Sequence, residues 1–435
     1  MVPTKRCWLL LAMGIPVGVV STSLGSPYLL IAYNVLVLVA TYVDHRLGPK
    51  GENITIKRVF DPVLSVRVPN RILLRVENGS REALEGKLRD EAPAGVVPDG
   101  NEVPISLQPG ASFDTVYHVT PGERGTDRFR GTYLRLNCPF GLSYRDLKLE
   151  TTEAVRVYPN VLALREFDLL NQQGRLREMG IRRSRFRGLG SEFESLREYA
   201  EGDDFRKIDH KASARRGKLI VRQYETERSQ AVLILIDVGR HMLSEVNGVR
   251  KLDHVLDSHI LLTNAASVAG DLVGLLVVSD TVRRYIPPRK GRSQVGMVIE
   301  SCHDLVAEPV ETNLIGGTSY LNGRWKRRSL VVVFSDYEDG DRAKEMVAAL
   351  GSLTRRHLVL VVRVQDGRLN EAMQAPIDST EAAYTRAAAD LLLSERKEAA
   401  KLFSAARIHQ LESEPQDLAA NLVNFYMNVK ERGLL

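Results

Sequence analysis

The hydrophobic rhythm of this chain changes as it proceeds. Near the start, two uncharged apolar runs, "CWLLLAMGIPVGVV" and "YLLIAYNVLVLVATYV", flank a small polar joint, "STSLGSP". Each run lies near the lower limit of a membrane-spanning helix, roughly 17–25 residues. Lys5 and Arg6 precede the first run, and Arg46 and Lys50 follow the second. Cations at both outer ends place both ends in the cytoplasm. The pattern predicts a transmembrane helical hairpin over residues 1–50, seated in the inner (cytoplasmic) membrane with the body of the chain cytoplasmic. A cleaved signal peptide followed by a stop-transfer helix leads to the same cytoplasmic body. A hairpin buried in a soluble core suits two uncharged terminal runs less well.

From about Asn53 to Tyr158 the period shortens to two. "ITIKRVF", "LSVRVP", "RILLRVENG", "EVPISLQPG" and "FDTVYHVTPGERG" alternate apolar and polar residues and end in turn residues. Such segments are half-buried antiparallel strands. Their number and spacing predict a two-sheet β-sandwich of immunoglobulin-like type over residues 51–160. Cys138, in the turn "CPFGL", reads as a small buried residue.

From Ala231 the apolar runs become continuous: "AVLILIDVG", "LVGLLVVSD", "SLVVVFSDYED" and "HLVLVVRV". Strands buried on both faces look like this. Amphipathic segments at 250–269, 291–305 and 341–355 lie between them. A long helix at 380–406, a short strand "RIHQLES" and a last helix at 416–432 follow. Alternating strands and helices predict a doubly wound α/β domain with a parallel sheet over 231–435. Residues 161–230 are then a linker with a charged motif. Within it, Phe193, Leu196 and Tyr199 are spaced for one helical face, with Ser191 and Glu194 as a capping box and Gly202 as the stop.

Asp237 and Asp336 each fall where a buried strand meets a loop. They could share a hard cation such as Mg²⁺. Equally, each could cap the helix that follows.

Charge and cysteine narrow the function. The balance is 60 Lys+Arg against 54 Asp+Glu over 435 residues, a small surplus for nucleic-acid binding. Three distant cysteines offer neither a disulfide framework nor a zinc pair. The densest charged stretch, "EYAEGDDFRKIDHKASARR", mixes both signs. A hydrolase built on Asp203, Asp204 and Asp237 is one reading of it. Neighbouring arginines, however, hold carboxylates ionised and neutralised, which disfavours acid–base work. An ion-pair network that forms a docking face suits the balance better. Its candidate members are Glu192, Arg197, Tyr199, Asp203, Asp204, Arg206, Asp209, Lys211 and Arg215. His210 reads as a packing element.

The stretch "GLGSEFESLREYAEGDDFRKIDHKASARRGKLIVRQYETE" resembles the signature of the bacterial family called domain of unknown function 58. "IDVGRHM" and "FSDYED" look like parts of the von Willebrand factor type A fold. The order of parts is similar too. The resemblance implies a von Willebrand factor type A-like α/β domain and a cytoplasmic partner, a MoxR-type AAA+ ATPase. It also implies a metal site, with Asp237 as the first acid, Thr312 (or Thr318) as the threonine and Asp336 as the last acid. Gly239 and His241 stand where the two serines would be, so the site is degenerate. The expected function is therefore that of a membrane-anchored, non-enzymatic interaction protein without a cofactor. A Mg²⁺-dependent binding domain on Asp237 and Asp336 is the alternative, and a metal-dependent hydrolase a further one.

Overall fold

The computed structural model describes residues 2–51, 53–181, 193–200, 208–224, 229–337 and 340–434. They divide into two units, Met1–Asn160 and Val161–Leu435.

The first unit opens with helices Lys5–Ala12, Gly14–Ser23 and Tyr28–Leu47. Lys5–Ser23 and Tyr28–Leu47 are long and apolar enough to cross a membrane. Large apolar side chains such as Ile15 and Leu36 stand exposed along them. The β-rich part carries sheets of five, four and three strands rather than the two expected. Val2–Pro3 joins the five-stranded sheet by pairing with Ser143–Leu149. Side chains from all three sheets, among them Leu64, Ile72, Leu84 and Phe129, share one core. The alternation read from the sequence is kept in Asn70–Asn78, where Ile72, Leu74 and Val76 point inward.

One buried ion pair ties two of these sheets. Arg58, on strand Ile54–Phe60, donates through Nη2 and Nε to Asp90, on strand Leu84–Asp90, at 2.6 and 3.0 Å. The Tyr117 hydroxyl also donates to Asp90, as does Thr132 Oγ1 at 2.8 Å. Both charged side chains are fully buried. A charge pair so enclosed is tolerable only because every oxygen of the carboxylate has a donor.

The second unit is built on a six-stranded sheet. From edge to edge its strands are Val282–Arg289, Leu272–Val278, Ala231–Asp237, Leu330–Phe334, Leu358–Val364 and Ile408–Ser413. The last five are parallel; Val282–Arg289, not anticipated from the pattern, is an antiparallel edge. Helices cover both faces. Val232, Ile234 and Ile236 pack on one side with Leu256, Leu422 and Tyr426, while Leu233 and Leu235 pack on the other with Leu321, Met346 and Phe403. That two-sided burial is why the strands read as unbroken apolar runs.

Two expectations are corrected here. Residues Leu162–Gln172, expected to lie in a linker, form a helix whose Phe167 enters the core beside Leu176 and Ile181. Phe193–Glu198, expected as helix, is a strand paired antiparallel with Ile220–Tyr224. The i, i+3 spacing of apolar residues there was too short a signal to outweigh a long-range partner. Ser191 and Gly202 of that expected helix lie outside the described residues.

Candidate functional site

The order in which strands are added to the sheet reverses between the parallel strands Ala231–Asp237 and Leu330–Phe334. In open α/β sheets, ligands bind beyond the carboxyl ends of the strands at this point. Asp237 ends the first strand and Asp336 lies two residues past the second.

Asp237 is fully buried. Its Oδ1 accepts from the Gly239 amide at 2.8 Å and from Thr312 Oγ1 at 2.5 Å, and its Oδ2 accepts from Ser335 Oγ at 2.6 Å. The Thr312 loop is pinned to this strand end: Glu308 N donates to Val238 O at 2.7 Å, and Arg240 N donates to Val310 O at 2.9 Å. Gly239 has a steric reason. A Cβ there would lie 2.0 Å from Thr312 Oγ1 and 2.8 Å from Val310 O. The space that a serine side chain would take is filled by Thr312 itself. Thr318 uses its hydroxyl on the Ile315 carbonyl, at 3.0 Å, inside helix Leu314–Arg324.

Asp336 is nearly as buried and faces two cations. Lys251, the first residue of helix Lys251–Val268, donates to its Oδ2. Arg363 Nε lies 2.7 Å from its Oδ1. The Tyr337 amide donates to the same oxygen at 2.8 Å. Arg363 also lies 4.6 Å above the Tyr337 ring and 3.7 Å from Glu412, which in turn meets Arg396 at 3.4 Å. Burial opposes the Arg363 charge, yet Asp336 and Glu412 hold its pKa above the usual value. Burial raises the Tyr337 phenol.

A hard divalent cation needs about six oxygen ligands with free lone pairs. These residues do not fit one. Asp237 already accepts three hydrogens, Asp336 already neutralises two cations, and Gly239 supplies no side-chain oxygen. Among the described residues no cluster of three acidic, histidine or cysteine side chains is arranged for a metal. His241 is buried, with Nε2 3.6 Å from Glu311.

Around this buried centre runs a more exposed rim. Glu311 meets Arg240 and Arg342, each at 2.7 Å. Glu308 accepts from Ser279 at 2.8 Å and from Arg283. Sequence reading missed Lys251, Arg363, Ser335, Glu311 and Arg342. One signal was available: Arg363 is a lone charge inside the apolar run "HLVLVVRV", and a charge in a strand buried on both faces must find a partner.

The charged motif is described only in part. Glu192, Asp203, Asp204 and Arg206 lie outside the described residues, as does the Arg197 side chain. The Tyr199 amide donates to Leu219 O at 2.9 Å. Asp209 caps helix His210–Arg216, its Oδ1 accepting from the Lys211 and Ala212 amides at 3.0 and 2.9 Å. Ser213 closes the turn: its hydroxyl donates to Asp209 O and accepts from Ile220 N. Thus Asp209 acts first as a helix cap, whatever its ion-pairing. Lys211 and Arg215 are exposed. His210 is exposed too, not the packing element expected; it opens a seven-residue helix that buries none of its side chains. Lys218 pairs with Glu198 at 3.0 Å.

The family described as "Protein of unknown function DUF58" matches residues 195–376, which spans the densest charged stretch and most of the six-stranded sheet. Uncharacterized proteins of Mycobacterium tuberculosis and Mycobacterium bovis are 25% identical over 183 residues, covering 42% of this chain. The chain spans 57% of the length of these curated relatives. Among solved structures, the conserved hypothetical protein BatB of Bacteroides thetaiotaomicron aligns over 47% of this chain and 100% of its own, with 12% identity and a TM-score of 0.31. The CARDB domain of the PF1109 protein of Pyrococcus furiosus aligns over 24% of this chain and 92% of its own, with 17% identity and a TM-score of 0.18. Likeness at those scores carries no argument about fold or function.

Proposed function

We propose that this chain is a membrane-anchored, non-enzymatic interaction protein. Its hairpin holds it at the cytoplasmic face of the membrane, and the β-rich part acts as a spacer. The α/β unit is a von Willebrand factor type A-like domain that works without a metal ion. Its strand-end face, with the Glu311, Arg240 and Arg342 rim, docks a MoxR-type AAA+ ATPase.

One observation carries this reading. Lys251 and Arg363 both neutralise Asp336, at the sheet position where a divalent ion would otherwise be recruited. A protein-borne cation makes the face independent of a mobile one. It also leaves Asp336 without the free lone pairs that a general base or metal ligand needs. The strand order, with one antiparallel edge, supports the type A assignment. The partner class comes from the family resemblance of the charged motif alone.

The test uses the full chain in detergent with purified bacterial extract. Capture of an AAA+ ATPase that survives EDTA, and is lost in Glu311→Arg while melting is unchanged, supports the reading. Melting of the chain alone should be the same in EDTA and in millimolar Mg²⁺. A rise in melting temperature with Mg²⁺ would overturn the metal-free site, and failure to capture an ATPase would overturn the named partner.

A further inference from the structure

Both ends of the apolar hairpin close on one loop of the β-rich part, residues 138–143. At the front, Thr4 N donates to Leu142 O at 3.0 Å, and the Thr4 hydroxyl donates to Gly141 O at 2.6 Å. At the back, Asp44 lies in the last turns of helix Tyr28–Leu47 and is 0% exposed. Its carboxylate accepts from the amides of Phe140, Leu142 and Ser143, at 2.8, 2.9 and 2.8 Å, and from Ser143 Oγ at 3.1 Å. Arg145 Nη2 donates to His45 O at 2.5 Å. Gly48 is needed for the approach, since a Cβ there would lie 2.5 Å from Cys138 Sγ. A buried carboxylate with this many donors is not released without leaving several buried groups unpaired. Hairpin and loop therefore form one joint.

The loop turns its amides inward and one large apolar side chain outward. Phe140 is 61% exposed although its own amide is bound to Asp44. It is held at the root of two helices whose own apolar faces are exposed. Lys5, Arg6, Arg46 and Lys50, at the same root, are exposed as well. Gly141 lies against Arg6: a Cβ there would sit 3.0 Å from Nη1. The acid of the joint, Asp44, is buried and faces amides rather than solvent.

We infer that this collar is a phospholipid-headgroup site: Phe140 enters the interfacial layer, and Lys5, Arg6, Arg46 and Lys50 take anionic headgroups. Aromatic rings favour the interfacial depth, and each cation near an anionic bilayer adds attraction. Two things commit the site to lipid rather than a protein partner. It is continuous with the apolar helix surfaces, and among the described residues the charges exposed at the collar, Lys5, Arg6, Arg46 and Lys50, are all positive. The inference rests on the hairpin being the membrane anchor.

The experiment places single tryptophans in the full chain, in a Trp8→Phe/Trp325→Phe background, reconstituted into phosphatidylcholine–phosphatidylglycerol vesicles. Lipids carry bromine either near the headgroup or deep in the chain. Phe140→Trp should be quenched by shallow bromine, Leu36→Trp by deep bromine, and Tyr133→Trp, on the sheet face, by neither. Quenching of Leu36→Trp without Phe140→Trp overturns the inference and leaves the anchor standing. Quenching of neither overturns both. In parallel, lipid retained through detergent extraction should be enriched several-fold in phosphatidylglycerol over the vesicle composition. The variant Lys5→Gln/Arg6→Gln/Arg46→Gln/Lys50→Gln should lose that enrichment; an unchanged ratio overturns the headgroup assignment.

Discussion

Asp90 and Asp336 are both buried carboxylates neutralised by arginine, yet their surroundings differ. Asp90 sits between two sheets, and its donors, Arg58, Tyr117 and Thr132, leave nothing facing outward. Asp336 sits at the carboxyl end of a central parallel strand. It is neutralised by cations from two other elements, and near the same strand ends Glu311 pairs with the exposed Arg240 and with the largely covered Arg342. The chemistry of the pair alone therefore does not tell a structural clamp from an interface. Position in the sheet and access to solvent do. The Asp90 cluster is a fully buried pair between sheets, whereas near the Asp336 strand end Glu311 and Arg240 stand exposed.

The largest expected effect separates the two directly. Asp90→Ala strands a buried guanidinium and should cost about 3–5 kcal/mol in denaturant unfolding of the β-rich part. It should not alter ATPase capture under conditions where the protein is folded. A loss of capture in folded Asp90→Ala would break the comparison. Next, Asp336→Asn keeps the shape and removes the charge, leaving Lys251 and Arg363 against each other. A loss of about 2–4 kcal/mol is expected, with capture reduced, and Lys251→Met in the same chain should recover part of the stability. If Asp336→Asn kept full stability, the internal-cation account would be wrong.

A smaller effect sharpens the role of Gly239. Gly239→Ala drives a methyl into Thr312 Oγ1 and should cost about 1–3 kcal/mol. Combining it with Thr312→Ala should relieve part of that cost, because the closest atom is removed while Val310 O stays. Strict additivity in this double-mutant cycle would mean that the two do not touch. The smallest effect concerns pH. His357 is buried beside Arg356; burial first, and that arginine second, hold its imidazole below the ordinary 6.5. The unfolded chain then binds the proton more readily than the folded one, so stability falls as pH drops below 6.5 toward the folded value. His357→Leu should show a shallower fall over that window in thermal melts; equal slopes would show that His357 does not titrate as its surroundings dictate.

Much of the α/β unit was legible because its strands are buried on both faces and its helices are long. Ala231–Asp237 and Thr380–Ala405 stand within a residue or two of where periodicity put them. Phe193–Glu198 was misread because six residues with mixed charge carry too little period, and the strand exists only through its partner Ile220–Tyr224. The edge strand Val282–Arg289 was passed over because "VRRYIPPR" carries two prolines and three arginines, which an edge tolerates and a central strand does not. Asp237 and Asp336 could be singled out from strand ends, but their partners could not. Lys251, Ser335 and Arg363 come from separate elements, and nothing in local spacing links them.

By itself, then, the sequence determined the parts: two uncharged apolar runs, alternating strands, doubly buried strands and the loops that end them. Those follow from local rules of periodicity and charge, which act over a few residues. Only the tertiary structure decided which cation answers which acid, that Thr312 fills the space above Gly239, and that Asp44 binds the 138–143 loop. Such pairings depend on residues about 27 to 99 positions apart meeting in a dry interior, where an unpaired charge or amide is too unfavourable to persist.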